Sequence, residues 1–251
     1  MSVSVVVPTY GRPALLRRLL TSIAAQTYRH YEVVVVDDCS PNEHEYRVVL
    51  EQMAPLLPAF TFIRNAHNRG APHSRNRGIQ AARYDLVALV DDDDEWLPRK
   101  LERQIDVFAN SSPKVGIVYT WTDVVEDGRR QPFYRAQLQG SALPAILHEC
   151  FIPSPSVMAR KTALLEAGLF DERLPSCQDW DMWTRLLALG YEARVVPEVL
   201  TLYHKHGTPS IGASANARSG YIQYYAKHFW KLLRFGEWRH LMRFARMVAG
   251  V

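Results

Sequence analysis

Residues 84–101 read YDLVALVDDDDEWLPRKL, and the predicted fold is organised around this stretch. A short apolar run at residues 86–90 leads directly into four consecutive aspartates, and a helix-like pattern follows them. A short apolar segment that is bounded by a break is typical of a buried strand. The aspartates would then stand at the carboxyl end of that strand, which is where open α/β sheets bind their ligands.

The four aspartates, residues 91–94, are the first candidate site. Side chains alternate along an extended chain, so Asp91 and Asp93 are expected on one side and Asp92 on the other. Oxygen ligands suit hard cations such as Mg²⁺, Mn²⁺ or Ca²⁺, and a cation would neutralise these charges. An acidic run by itself indicates a solvated loop equally well, but its position after a predicted strand favours a metal site.

Composition places the chain among folded globular proteins. It has 251 residues, of which 47% are hydrophobic and 22% charged, so disorder is not expected. Three cysteines without a C-x-x-C pair argue against a disulfide framework and a structural zinc site, and favour a reducing compartment. Neither a signal peptide nor an apolar window of about 18 residues is seen. The expected location is therefore cytoplasmic, at the inner membrane face if the chain binds lipid.

Strand-like and helix-like segments alternate through the first hundred residues. The predicted strands are residues 2–7, 31–36, 60–64 and 86–90, and the predicted helices are one that Pro13 opens, 43–57 and 71–83. Strands that alternate with helices predict a parallel sheet with right-handed crossovers. The carboxyl ends of these strands should therefore meet at one edge.

Polar and aromatic side chains follow those strands. Asp37 and Asp38 follow the second strand, where they could bind a base or ribose or simply cap the next segment. Tyr10 could stack on a base or pack in the ordinary way. Arg75, near a helix start, could contact a diphosphate or lie on a solvated helix face. Together these side chains favour a nucleotide site over separate structural roles.

Four motifs, in this order and spacing, resemble the family-2 glycosyltransferases of the GT-A fold. They are VVVPTY at residues 5–10, VVDDCS at 35–40, NRG at 68–70 with SRNRGI at 74–79, and LVDDDD at 89–94 with WLPRKL at 96–101. The match covers the first hundred residues, and the motifs together are far more specific than the acidic run alone.

The resemblance implies a donor site for a nucleotide sugar. The residues that would contact the donor nucleotide are Pro8, Thr9, Tyr10, Arg12, Asp37, Asp38, Arg75, Asp91 and Asp92. Asp91 and Asp93 would be the outer members of the family's DXD motif and would hold a divalent metal, Mn²⁺ or Mg²⁺. Asp93 is the better candidate for direct metal contact, and Asp92 with Asp94 is the alternative pair.

The second half predicts a strand at residues 115–121, a tight turn at Asp127-Gly128 and an amphipathic helix at 179–189. Asp179 in the first turn of that helix could be only a cap with a favourable dipole position. However, GLFDE at 168–172 and QDWDMW at 178–183 resemble the family's acceptor-side motif. That resemblance implies that Asp179 is the catalytic base and that Trp180 and Asp181 lie on the acceptor side.

Two further segments carry open alternatives. In YHKH at residues 203–206, His206 is a candidate metal contact or an exposed loop histidine, and residues 207–215 are expected to form a lid over the donor. The tail, residues 216–251, interleaves aromatic and basic side chains. It could lie on an anionic membrane or pack on the domain, whereas nucleic-acid binding has no other support.

The combined expectation is an α/β protein with a GT-A, Rossmann-like, mostly parallel sheet flanked by helices and a C-terminal helical tail. Residues 1–215 would form the catalytic domain, with a nucleotide half at 1–105 and an acceptor half at 106–215, and residues 216–251 the tail. The resemblance implies inverting, non-processive transfer from a UDP-sugar to a saccharide or lipid-linked saccharide in bacterial surface-polysaccharide synthesis. The alternatives are a catalytically silent nucleotide-sugar-binding protein or a nucleotidyltransferase.

Overall fold

The computed structural model describes residues 1–205 and 217–249. The strands are β1 (Val3–Thr9), β2 (Tyr31–Asp37), β3 (Phe60–Arg64), β4 (Leu86–Leu89), β5 (Glu95–Trp96), β6 (Val115–Glu126), β7 (Arg129–Tyr134), β8 (Met158–Arg160) and β9 (Glu192–His204). The helices are α1 (Pro13–Ala24), α2 (Glu43–Met53), α3 (Ala71–Ala81), α4 (Lys100–Ala109), α5 (Leu143–His148), α6 (Lys161–Glu166), α7 (Gln178–Ala188), α8 (Ala217–Arg234) and α9 (Trp238–Ala249).

In the described part of the chain, nine strands form one sheet in the order β3-β2-β1-β4-β8-β6-β9-β5, with β7 paired to β6. Strands β1 to β4 pair in parallel, which confirms the prediction for the first half. The second half is mixed: β8 runs antiparallel to β4 and β6, whereas β6 and β9 run parallel. The carboxyl ends of β1, β2 and β4 therefore meet at one edge, beside the turn that carries the aspartates.

The valine-rich strands β1 and β2 lie in the middle of the layered structure. Every residue of β1 and β2 is buried, so both faces of this part of the sheet are covered. Val5 and Val7 face the cluster that contains the apolar side of α1, while Val6 faces the cluster on the other side. Helix α3 approaches that second face closely, because a Cβ on Gly78 would lie 2.4 Å from Val6 Cγ1. Glycine at this position is what allows α3 to pack directly on β1.

Predictions from clear local sequence patterns were confirmed. Strand β3 has the predicted bounds, α1 begins at Pro13, and Asp127 and Gly128 form the turn of the β6–β7 hairpin. Both turn residues have positive φ, 50° and 72°, as a tight hairpin turn requires. Strand β5 was missed, because two residues show no periodicity. It pairs with β9 and buries Trp96.

The C-terminal tail has both buried and exposed aromatic side chains. Tyr224 and Tyr225 of α8 are fully buried in the core cluster that also contains α7. By contrast, the side chains of Trp230 and Trp238 are 77% and 60% exposed. None of the helices described here is long and apolar enough to cross a bilayer. The tail is thus packed on the domain and still presents an apolar outer surface.

Candidate active site

The aspartate run forms a turn at the end of β4. Asp91 and Asp93 are partly exposed, at 27% and 21% of their side-chain areas, whereas Asp92 and Asp94 are buried. The run therefore exposes one alternating pair at the edge where β1, β2 and β4 end, which is called the cleft below, and buries the other pair. This is the orientation that a DXD motif formed by Asp91 and Asp93 would need.

Asp92 is held inside by β1 and the loop after it. The Thr9 hydroxyl donates a 2.6 Å hydrogen bond to Asp92 Oδ2, and Arg12 Nη2 lies 2.5 Å from Asp92 Oδ1. Burial raises the pKa of Asp92 to about 7, although Arg12 and Thr9 act in the opposite direction. The structure thus gives Asp92 a role in anchoring the turn, and its predicted contact with the donor stays a prediction.

Arg12 connects this anchor to the cleft. Its other terminal nitrogen, Nη1, lies 2.5 Å from Asp93 Oδ2, and its side chain is 44% exposed. Its backbone N–H donates to the hydroxyl of Tyr46, which also lies 2.7 Å from the Thr9 hydroxyl. The sequence reasoning missed Tyr46, because in α2 it occupies an ordinary apolar position.

Asp37 is fully buried at the end of β2. It accepts hydrogen bonds from the backbone N–H and the hydroxyl of Ser40, and from Arg64 Nη1 at 2.7 Å. These contacts fix the loop between β2 and α2. Asp37 therefore holds the loop and does not cap α2, whose N-cap is Asn42, and its predicted donor contact stays a prediction.

Asp38 is also buried and holds the loop that leads into α3. It accepts hydrogen bonds from the side chain of Asn65 at 2.6 Å and from the backbone N–H groups of Arg69 and Gly70. Gly70 has a φ of 87°, a conformation that glycine adopts without strain. Asp38 thereby sets the position at which α3 begins, one turn before Arg75.

The residues predicted to border the base lie at the end of β1. Pro8 is within the strand and paired opposite Val36, and Thr9 is 3% exposed. Tyr10 is 47% exposed, so its ring is available at the sheet edge. The structure therefore brings Tyr10, Asp91 and Asp93 to the surface of the same edge.

Arg75 joins the two halves of the cleft. It projects from α3 with 6% side-chain exposure, and its Nη2 lies 2.5 Å from Asp91 Oδ1. Its Nη1 lies 3.8 Å from Asp179 Oδ1, and its guanidinium stands 5.5 Å from the Phe170 ring centroid. Burial lowers the pKa of Arg75, but Asp91 and Asp179 outweigh burial and raise it. One permanent cation therefore links the predicted metal site to the predicted base.

Asp179 lies in the first turn of α7. Its side chain is 31% exposed toward the cleft. Burial raises its pKa above the usual value for aspartate, Arg75 opposes this effect, and the charge of Asp91 adds to it. A carboxylate with a raised pKa that faces a cleft is suited to accept a proton.

Trp180 and Asp181 point away from that cleft. Trp180 is 6% exposed, stacks on Tyr224 with ring centroids 4.1 Å apart and donates to the Ile146 carbonyl. Asp181 is fully buried and contacts three cationic or basic side chains, Arg185 at 2.8 Å, His228 at 2.8 Å and Lys227 at 2.9 Å. Both residues fasten α7 to neighbouring helices, and the structure shows no acceptor role for them.

Asn76 is a second residue whose role the sequence reasoning did not find. Its side-chain amide donates to the Phe170 carbonyl and accepts from the Phe170 N–H, both at 2.9 Å. It also donates to Glu172 at 3.1 Å. This paired contact ties α3 to the segment before α7, and so fixes Arg75 relative to Asp179. The only sequence signal was its place in the SRNRGI motif.

The aspartate turn fits a divalent metal. Asp91 and Asp93 offer carboxylate oxygens toward the cleft, and such ligands suit Mg²⁺ or Mn²⁺. Across residues 1–205 and 217–249, no donor reaches the buried Asp94 Oδ2, although the His204 N–H approaches Oδ1 at 3.4 Å. The third metal candidate, His206, and the predicted lid at residues 207–215 lie outside the described residues.

Comparison with known proteins identifies the family. The sequence profile of glycosyl transferase family 2 matches residues 4–165. The chain belongs to this family. Among curated relatives, it is 29% identical over 239 residues to the putative colanic acid biosynthesis glycosyl transferase WcaA of Escherichia coli. That alignment covers 90% of this chain and 81% of WcaA. An uncharacterised glycosyltransferase of Haemophilus influenzae is 33% identical over 187 residues, which cover 73% of this chain and 61% of the relative.

Solved structures match the fold of this family-2 glycosyltransferase. S. aureus TarS 1-349 in complex with UDP-GlcNAc superposes with a TM-score of 0.72 at 21% identity, over 90% of this chain and 66% of that one. The mannosyltransferase PcManGT of Pyrobaculum calidifontis, in complex with GDP-Man and Mn²⁺, gives a TM-score of 0.69 at 24% identity. The superposition covers 64% of PcManGT and 90% of this chain. These similarities confirm the predicted GT-A fold.

Proposed function

We propose that this protein transfers a hexose from a nucleoside diphosphate sugar to an acceptor hydroxyl, with inversion at the anomeric carbon. Asp179 is the base that takes the proton of the attacking hydroxyl. The new glycosidic bond forms as the bond between the anomeric carbon and the diphosphate breaks. The nucleoside diphosphate leaves with the bonding electrons, and displacement in a single step inverts the configuration.

The position of Arg75 carries this proposal. Its guanidinium lies between Asp91 on the donor side and Asp179 on the acceptor side, at 2.5 Å and 3.8 Å. A donor diphosphate beside Asp91 would place its sugar next to Asp179, and Arg75 would stabilise the charge of the leaving diphosphate. The chemistry needs a base and an anion-stabilising group beside the reacting sugar, and Asp179 and Arg75 would supply them.

The metal proposal follows from the same turn. Asp93, together with Asp91, would hold Mn²⁺ or Mg²⁺, which would supply positive charge for the diphosphate. Arg12 and Arg75 already contact Asp93 and Asp91, both at 2.5 Å. We infer that these arginines orient the two carboxylates, because each guanidinium is a permanent cation that pairs with one of them.

Calorimetric titration with UDP, GDP and dTDP, each with and without Mn²⁺, tests the donor site. We expect metal-dependent binding of one nucleotide, with UDP favoured, and loss of that binding in Asp93→Ala. Asp127→Ala, in the β6–β7 turn, is the matched control and should bind like the wild type. If well-folded protein binds none of the nucleotides, the glycosyltransferase assignment of this site is wrong.

The relatives indicate the range of donors and the setting. TarS was solved with UDP-GlcNAc and PcManGT with GDP-Man, so one protein of this fold binds a UDP-sugar and another binds a GDP-sugar. WcaA is described as a colanic acid biosynthesis enzyme. We propose a saccharide or lipid-linked saccharide acceptor in bacterial surface-polysaccharide synthesis, in the cytoplasm at the membrane.

The outer surface of the tail supports a membrane contact. Successive helix residues are 100° apart, so Trp238 and Met242 lie on a face of α9 opposite Met247. Trp238 and Met242 are 60% and 55% exposed, whereas Met247 packs against the core. Trp230 of α8 adds a further exposed ring. Because packing does not require this second apolar face, we propose that it enters the interface of an anionic membrane.

Charge favours an anionic surface over a neutral partner. Residues 217–249 contain one acidic residue, Glu237, and the basic residues are Arg218, Lys227, Lys231, Arg234, Arg239, Arg243 and Arg246. Basic side chains beside an anionic bilayer contribute about 1 kcal/mol each. A lipid-linked acceptor would then be held at the same surface as the enzyme.

Vesicle sedimentation tests this contact. We expect binding to vesicles with anionic lipid, weaker binding at high salt and little binding to phosphatidylcholine alone. The double variant Trp230→Ser/Trp238→Ser should lose binding, whereas Leu189→Ser, which alters a side chain 55% exposed elsewhere, should not. Equal binding by all three proteins would overturn the membrane proposal and leave the donor-site proposal intact.

A further inference from the structure

Three metal-ligating side chains meet far from the aspartate turn in sequence, where the end of α5 contacts the start of α9. His148 ends α5, Glu237 precedes α9, and His240 lies in its first turn. His148 Nδ1 is 3.0 Å from Glu237 Oε2, and His240 Nε2 is 3.9 Å from the same oxygen. All three ligand atoms lie within 4.8 Å of one another.

These separations suit zinc. Zinc bonds to histidine nitrogen and carboxylate oxygen are about 2.0–2.1 Å long, so two ligand atoms of a tetrahedral site lie about 3.3 Å apart. The observed 3.0 Å and 3.9 Å lie on either side of that value. Two imidazoles with one carboxylate are typical zinc ligands, whereas the oxygen ligands of Asp91 and Asp93 suit Mg²⁺ or Mn²⁺.

An independent contact fixes the orientation of His240. The hydroxyl of the buried Tyr225 lies 3.1 Å from His240 Nδ1, which leaves Nε2 on the side of His148 and Glu237. The His240 ring also packs against the rings of Trp180 and Tyr225, at 5.8 Å and 5.5 Å between centroids. Histidine ligands of metals commonly use their second nitrogen in such a hydrogen bond, which sets the tautomer and the ring direction.

Access and protonation are also compatible with a metal ion. The side chain of His148 is 57% exposed, so an ion can reach the cluster from solvent, while Glu237 and His240 are 16% and 15% exposed. Without metal, His240 Nε2 hydrogen bonds to the His148 carbonyl at 2.6 Å. Coordination through Nε2 would replace that bond, and the neutral imidazole would carry its proton on Nδ1, beside the Tyr225 hydroxyl.

We propose that His148, Glu237 and His240 form a zinc site that fastens α9 to α5. Helix α9 has no fully buried residue, so its apolar inner face holds it only weakly. A bound ion adds a direct link between the two helices. The cysteine pattern argues against a structural zinc site, whereas the ligands proposed here are histidine and glutamate from distant parts of the chain.

Zinc titration of the full chain tests the site, with Co²⁺ absorption as the report on geometry. We expect one zinc per chain, a tetrahedral Co²⁺ spectrum and a rise in the melting temperature with zinc. His148→Ala and His240→Gln should each weaken binding at least tenfold and abolish the zinc-dependent rise. Tyr225→Phe should weaken binding about tenfold, as loss of an orienting partner does.

Two controls separate this site from others. Asp93→Ala removes the predicted ligand of the donor metal. This variant should bind zinc as the wild type does, and zinc should raise its melting temperature by the same amount. His30→Ala, at an exposed position before β2, should do the same. If wild type binds no zinc, or if the His148 and His240 variants bind it equally well, the cluster is only a hydrogen-bonded contact and the proposal is wrong.

Discussion

The pairs Asp91 with Asp93 and Asp179 with Asp181 have the same D-x-D spacing but different surroundings. Asp91 and Asp93 both reach the cleft, with the intervening Asp92 buried. Asp179 also faces the cleft, but Asp181 is buried among Arg185, Lys227 and His228. The spacing in the sequence is the same, and the backbone differs. In a helix, residues two apart point about 200° away from each other. The aspartate run instead forms a tight turn, in which the Asp94 N–H donates to the Asp91 carbonyl, and both Asp91 and Asp93 stay partly exposed.

Spacing alone therefore does not define an acidic site. The turn after β4 keeps two carboxylates together, which is what a metal requires. The first turn of α7 separates two carboxylates, so that one can act as a base while the other fastens the helix. Asp179 and Asp181 should therefore respond differently to the same substitution.

The largest expected effect on stability is that of Asp181→Asn. The variant leaves Arg185, Lys227 and His228 without their shared charge. Breaking a buried ion pair costs about 3–5 kcal/mol, and we expect the lower end because Lys227 is 29% exposed. Urea unfolding measures the change.

Asp179→Asn is the matched control. A raised pKa means that the folded state holds a proton on Asp179 more tightly than the unfolded chain does, so the ionised form opposes folding at neutral pH. The variant should be as stable as the wild type or gain up to about 1 kcal/mol. An equal loss of stability in both variants would mean that the two aspartates do not differ as described.

Asn76→Ala should have the next largest effect. It removes both hydrogen bonds to the Phe170 backbone and leaves those groups unpaired, which costs about 1–3 kcal/mol. Because this contact aligns Arg75 with Asp179, turnover should fall as well. Asn110→Ala, which removes one exposed hydrogen bond at the end of α4, should change unfolding by less than about 1 kcal/mol.

The pH dependence of turnover tests the role of Arg75. A base must be unprotonated, so kcat/KM should fall as pH drops through the pKa of Asp179, which burial holds above the model-peptide value of about 3.9. Arg75→Gln removes the cation that opposes this shift. We expect the acid limb of the pH profile to move to higher pH in the variant. An acid limb at the same pH as in the wild type would show that Arg75 does not affect the pKa of Asp179.

The smallest effect is expected for Lys100→Met. Lys100 is fully buried with Gln104 at 2.7 Å and the Trp96 ring centroid at 4.0 Å, and burial holds its pKa well below the usual value. The folded state then binds fewer protons than the unfolded chain, so wild-type stability should rise between neutral pH and about pH 10. The variant should lose that slope and differ by less than about 1.5 kcal/mol at pH 8. A slope equal to that of the wild type would show that Lys100 is charged.

The first half of the fold could be predicted because each element has a strong local signal. The valine runs of β1 and β2 and the proline that opens α1 depend only on neighbouring residues. The mixed strand order of the second half depends on long-range pairing between β6, β8 and β9, which no local pattern encodes. Strand β5 is too short to show any periodicity.

The candidate site was predictable to the extent that motifs named its residues. The separate role of each residue was not predictable, because it depends on the direction in which each side chain points. The inward positions of Asp92 and Asp181, and the contacts made by Tyr46 and Asn76, follow from tertiary packing. Those contacts join residues 37 to 94 positions apart in the sequence.

The most direct test measures nucleoside diphosphate release from a panel of UDP- and GDP-sugars by wild type and Asp179→Asn, with donor binding measured in parallel. We expect equal donor affinity in both proteins and a turnover that is about 10²–10⁴-fold lower in the variant, because a positioned base contributes about that much. Turnover by Asp179→Asn at the wild-type rate, with the donor bound, would contradict the assignment of Asp179 as the base.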